Sequence, residues 1–152
     1  MQTLTIGIDP DITKSGVAIK DTKLKTLDLY DLGFFDLISL LIRKKDSIKV
    51  VVVEASWLIK KSSWHSSQGQ NTASKIGRDV GLNHGTGLNL VNMIQGLGIA
   101  VKLQLPLKKS WGKDGKQKIS HIEIQKIVEF RKHTVNVKRT TQEMRDATLL
   151  IL

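Results

Sequence analysis

Four consecutive valines, Val50–Val53, follow Ile48 and Lys49 and run directly into Glu54. A run of β-branched residues this short and this apolar reads as a strand buried on both faces, in the middle of a sheet covered by helices. It therefore points to an α/β chain. A carboxylate at the strand's exit is either a solvated chain end or part of a site, and one acid does not decide between them. At 152 residues and 40% hydrophobic content, the chain suits one domain, residues 1–152, with a single sizeable core.

The remaining pattern supplies the neighbours of that strand. Thr3 to Ile8 alternates and ends in Asp9. Ser15–Lys20 and Lys23–Leu32 read as two further strands joined by a short turn at Asp21 and Thr22, an antiparallel meander. Phe34–Lys45 has helical apolar spacing and a basic last turn, so it serves as the crossover to a parallel fourth strand. A helix is expected over 71–97 despite Gly77, Gly81, Gly85, Gly87 and Gly96, which weaken its continuity. A strand at Ile99–Leu105, a basic loop over Pro106–Lys116, a helix from about Gln117 to Lys132 and a last helix from Thr140 or Thr141 complete the order βββαβαβαα. The expected sheet is five-stranded and mixed, three antiparallel strands and then parallel ones, flanked by helices.

Charge narrows the partner. Lys and Arg number 24 against 14 Asp and Glu, a net charge of +10 that favours a polyanion. The chain has no cysteine, which excludes disulfides and thiolate metal sites. MQTLTIGID has no basic start or long apolar run, and no segment reaches the roughly 18 apolar residues of a membrane span. The expectation is a soluble, cytoplasmic protein with no membrane association.

Asp9 and Glu54 close strands expected to lie side by side, at the carboxyl end where open α/β sheets place their ligands. TTQEMRDATLLIL adds Glu143 and Asp146, three residues apart on one helix face. Each also has a plainer explanation. Asp9 opens a turn before Pro10, Glu54 ends a strand, and Glu143 and Asp146 suit the start of a helix. Together, however, four bare carboxylates raise one another's pKa, a conflict that divalent cations relieve. Mg²⁺ takes hard oxygen ligands, and two ions about 3.5–4 Å apart serve in-line phosphoryl displacement. A basic chain with a local acidic nest suits a metal-dependent nuclease.

IGIDPDITKSGVAI, VVVVEAS and the late E-x-x-D before ATLLI resemble the motifs of RuvC-type Holliday-junction resolvases of the ribonuclease H-like superfamily, along nearly the whole chain. The resemblance implies a homodimer that cuts four-way junction DNA symmetrically with two Mg²⁺ or Mn²⁺ ions per site. It implies that Asp9 holds or bridges the metals, Glu54 ligates one, and Asp146 completes the site with Glu143, a metal-bound water being the nucleophile. A small stand-alone resolvase also fits a phage or mobile element. The chain departs from the family in carrying Asp11 where glycine is common, which questions the first turn or adds an acid behind the metals; the Glu143 position is often Asp or His. The alternatives are another ribonuclease H-like nuclease, acting on RNA or an RNA/DNA hybrid, and a non-catalytic nucleic-acid-binding module.

DNA contacts are expected from two segments. KKSWGKDGKQK carries Lys108, Lys109, Lys113, Lys116 and Lys118 before a helix, where amides and ammonium groups suit phosphates, with Lys116 the first choice near the cut. WLIKKSSWHSSQGQ offers Lys60, Lys61 and Trp64 beside Glu54, the tryptophan as a wedge, while Trp57 suits burial equally well. Ala73, Gly77 and Gly81 recur every four residues, a smooth stripe for a dimer partner or for the sheet beneath.

Overall fold

The computed structural model describes residues 1–59, 70–108 and 110–152. In chain order these form β1 (Leu4–Asp9), β2 (Ser15–Asp21), β3 (Thr26–Leu32), α1 (Phe34–Lys44), β4 (Ile48–Glu54), α2 (Gln70–Gly96), β5 (Val101–Gln104), α3 (His121–Phe130), β6 (Thr134–Val135) and α4 (Gln142–Leu149), with short 3₁₀ turns before and after β4. The sheet runs β5-β4-β1-β2-β3-β6. β1, β2 and β3 form the antiparallel meander, and β4 lies parallel to β1 with β5 parallel beyond it.

The sheet has six strands among the described residues rather than the expected five, because Thr134 and Val135 pair in parallel with Thr26 and Leu27. The observed order therefore inserts a strand between the last two helices. Two residues have no periodicity to read, and only the nearby edge of β3 makes them a strand. β3 also starts later than expected. Asp21 Oδ1 accepts from the Lys23 and Leu24 amides, and Lys25 takes φ 59°, so the turn consumes residues 22–25. α3 starts at His121 rather than Gln117, since Ser120 caps it and Glu123 returns the bond in a capping box.

Alternation in the strands sorts side chains between two layers. Ile6 and Ile8, Val17 and Ile19, and Val51 and Val53 pack with Leu37 and Leu41 of α1 and Leu90 and Ile94 of α2. Ala18, Leu27, Leu29 and Val52 face the other way, onto Ile124 and Val128 of α3 and Ala147 and Ile151 beside or within α4. Each fully buried aliphatic side chain contributes about 1.5–3 kcal/mol. The same alternation puts Gly7 and Asp9 of β1, Gly16 of β2 and Glu54 of β4 on the α4 side.

α2 is continuous through its glycines and ends where Gly98 takes φ +73°. Its glycines do not share one function. A Cβ on Gly81 or Gly85 would meet none of the described residues, whereas one on Gly87 would strike the ring of Trp57. Gly81 therefore does not lie on the sheet beneath, and the close approach is made by Trp57, which packs against the α1–α2 core.

Candidate active site

The acidic site is assembled by register. β1 and β4 are parallel with Ile8 opposite Val53, so Asp9 and Glu54 leave adjacent strands at the same level and on the same face. Asp9 also pairs with Gly16 of β2. α4 comes down onto this face because two strand positions have no side chain. A Cβ on Gly16 would fall inside the Glu143 carbonyl, and one on Gly7 inside the Ala147 carbonyl. Gly16 and Gly7 thus let the α4 backbone rest on the strands, which brings Glu143 and Asp146 to the ends of β1 and β4.

α4 is itself anchored. The Thr141 hydroxyl accepts from the Met144 amide and donates to Asp31 Oδ1 at 2.9 Å. Arg145 donates through Nε to the Ile119 carbonyl at 2.9 Å and through Nη2 to Gln142 Oε1 at 3.0 Å. Gln142 Nε2 in turn donates to Asp146 Oδ1 at 2.8 Å, while Lys118 Nζ pairs with Asp146 Oδ2 at 3.1 Å. The segment before α3 is held to α4 in this way, and its lysine reaches the acids.

Electrostatics ties the acids into one site. The Asp9 carboxyl is pushed up from 3.8 to about 8, first by burial, then by the charges of Glu54 and Asp146, against the lowering pull of Lys118 and with a last upward push from Glu143. Glu54 is raised by burial and by Asp146, again opposed by Lys118. A cleft of about 180 Å³ opens here, walled by Glu54, Asp146, Lys118, Lys108 and Trp111. Among the described residues no three His, Asp or Glu side chains stand together as a finished ion cage. The donor set nevertheless suits Mg²⁺, which keeps several waters and needs only one or two carboxylates beside phosphate oxygens.

The other expected residues separate into groups. Lys118 is the loop lysine at the acids; Lys116, the first choice from sequence, and Lys113 do not line the cleft. The cause is the loop's shape. Trp111 and Gln117 pair across a turn with Gly112 at φ +78° and Gly115 at φ +64°, which carries Lys113 and Lys116 outward and returns Lys118 to the sheet. Nor is the start of α3 open to a phosphate, because the Glu123 carboxylate accepts from the Gly112 and Ser120 amides. Lys60, Lys61, Trp64 and Lys109 lie outside the described residues, as does the side chain of Ala73.

Asp11 is not an acid behind the site. Its Oδ1 accepts from the Thr13 and Lys14 amides, and its Oδ2 from Asn83 Nδ2, whose Oδ1 accepts from the Ile12 amide at 2.8 Å. An Asx turn clasped to α2 thus shapes the loop after Asp9, and Asp11 does so without a positive φ. Sequence reasoning overlooked Asn83, Gln142 and the two glycines beneath α4. A usable signal existed only for the glycines, which interrupt otherwise apolar strands.

No family model matches the chain, and no curated protein sequence matches it. Solved structures do. RuvC of T. thermophilus in complex with Holliday junction substrate superposes with TM-score 0.52 at 14% identity, over 98% of this chain and 90% of that one. Another Thermus thermophilus RuvC structure gives TM-score 0.45 at 14% identity, over 97% and 90%, and the yeast mitochondrial Holliday junction resolvase Ydc2 gives 0.44 at 10%, over 96% and 76%. The first of these establishes the class of fold. The chain is a mixed α/β protein whose sheet and helices are arranged as in that RuvC structure.

Proposed function

We propose that this chain is a metal-dependent, structure-selective DNA endonuclease, a crossover junction hydrolase that resolves four-way junctions by paired symmetric cuts in DNA recombination and repair. The observation that carries the reading is that Asp9 and Glu54, at the ends of β1 and β4, and Asp146, within α4, lie near enough to act on one another's charge, with Lys118 paired to Asp146 and opposing them. The RuvC structure in complex with its Holliday junction substrate supports this choice of substrate.

Asp9, Glu54, Asp146 and Glu143 would hold two Mg²⁺ or Mn²⁺ ions, which supply the charge that lets a phosphodiester approach and polarise its oxygens. The raised Asp9 carboxyl favours its protonated form at neutral pH without that charge, and bound cations would favour the carboxylate. Gln142 fixes one oxygen of Asp146 and so its orientation. Lys118 neutralises the other and is positioned to pass to a substrate phosphate. The homodimer is proposed through the outer part of α2, where Ile76 and Leu82 are exposed and Gly81 leaves room for a second backbone; equilibrium sedimentation reads this directly.

The deciding experiment offers a four-way DNA junction, a linear duplex and an RNA/DNA hybrid, each with Mg²⁺, Mn²⁺ or chelator. Paired nicks confined to the junction and dependent on metal are expected. Cutting of the hybrid alone would make the chain a ribonuclease, and binding without cutting would make it a non-catalytic module.

A further inference from the structure

A second cavity, about 930 Å³, lies beside the acidic cleft and shares Trp111 and Leu149 with it. Its chemistry is opposite. Lys20, Lys126, Arg131 and His133 line it, and no Asp or Glu side chain does among the described residues. Phe130, the last residue of α3, stands on its rim 88% exposed. Lys126 precedes Phe130 by four positions, so an ammonium group and an aromatic ring share one helix face. A cationic wall with an open ring suits a ligand that alternates phosphates with flat bases.

Resting on the nuclease reading, we propose that an unpaired nucleic-acid strand runs from the acidic cleft past Trp111 and onto this surface. There Phe130 stacks a base, and Lys126 and Arg131 hold the flanking phosphates. The two cavities divide the work by charge. The acidic cleft requires cations before a phosphate can enter, whereas the basic surface holds the strand without them. The strand is unpaired because stacking on Phe130 requires a base whose face is open. Lys20 and Arg131 already donate to the carbonyls of Ile151 and Leu152, which fixes their stems and leaves further N–H groups for the ligand.

The test measures fluorescence anisotropy in chelator, with a single-stranded oligonucleotide and the blunt duplex of the same sequence. Phe130→Ala should weaken single-strand binding on the order of tenfold and leave duplex binding unchanged, with recovery in Phe130→Trp. Lys126→Ala should lower the salt dependence of single-strand binding by about 0.7 in log–log slope. Unaltered single-strand affinity in Phe130→Ala, or an equal loss on duplex, would overturn the proposal; so would unchanged binding in a Phe130→Ala variant that sediments as a smaller particle, since the ring would then belong to a contact between copies. Because cleavage is silent in chelator, a chain that binds this way but never cuts would remove the nuclease reading alone.

Discussion

α2 and α4 use glycine in opposite ways. α2 carries its glycines within 27 residues of its own helix, and at Gly81 and Gly85 no neighbour among the described residues needs the missing side chain. α4 has only eight residues and no glycine, yet it rests on two glycines that belong to the strands below it. At those two positions of the first helix glycine lowers local stability for no contact among the described residues; beneath the second it sets the height of a whole helix and of the two acids it carries. A glycine's meaning thus depends on what lies above it, and at Gly16 that is the backbone of Glu143.

The largest effect is expected at the acids themselves. Glu54→Gln should retain the fold and junction binding while cleavage falls more than about 100-fold, the scale of losing one preorganised electrostatic contact. Full cleavage in that variant would remove the central claim. Next, Gly16→Ala forces α4 away from β2, at about 1–3 kcal/mol for overpacking. Calorimetry should record the loss, and junction cleavage should drop with it; an unchanged melting temperature would contradict the close approach of α4.

Asp9 sharpens the contrast through pH. Its carboxyl titrates near 8 when folded against 3.8 ordinarily, so the metal-free folded chain binds a proton that the unfolded chain has lost across that window. Stability should therefore fall as pH rises from about 4 to 8, and the penalty should be complete above the folded value. Glu54, raised for similar reasons, adds in the same direction. A melting-temperature decline of more than about 4 °C between pH 5 and 8 is expected, at roughly 2–4 °C per kcal/mol for a chain of this size. Mg²⁺ or Asp9→Asn should flatten it, and a slope that persists in Asp9→Asn would assign the effect elsewhere. The smallest effect has the opposite sign. Gly85→Ala should stabilise the chain by about 0.5–1 kcal/mol through helix propensity alone, measured as a higher urea midpoint. A loss there would mean that something packs on Gly85 after all.

Much of this arrangement was legible in the residues. Val50–Val53 announced a strand buried on both faces, and the helix between it and the meander implied a parallel crossover, which together put Asp9 and Glu54 level. Patterns of this kind are local and repeat, so they survive in one dimension. The two-residue β6 does not repeat, and its pairing with β3 is a non-local fact. The choice of lysine was likewise invisible. Lys116 and Lys118 differ by two places, and only the turn that pairs Trp111 with Gln117 decides which of them reaches Asp146.

By itself, then, the sequence determined the layers of the fold, the shared level of Asp9 and Glu54 and the net basic charge of the chain, because periodicity and composition act residue by residue. The tertiary structure alone decided that Gly7 and Gly16 seat α4, that Gln142 and Lys118 share Asp146, and that Asn83 holds the loop after Asp9. Those are contacts between segments far apart along the chain, and their energies depend on distances of a few ångströms that no spacing of letters encodes.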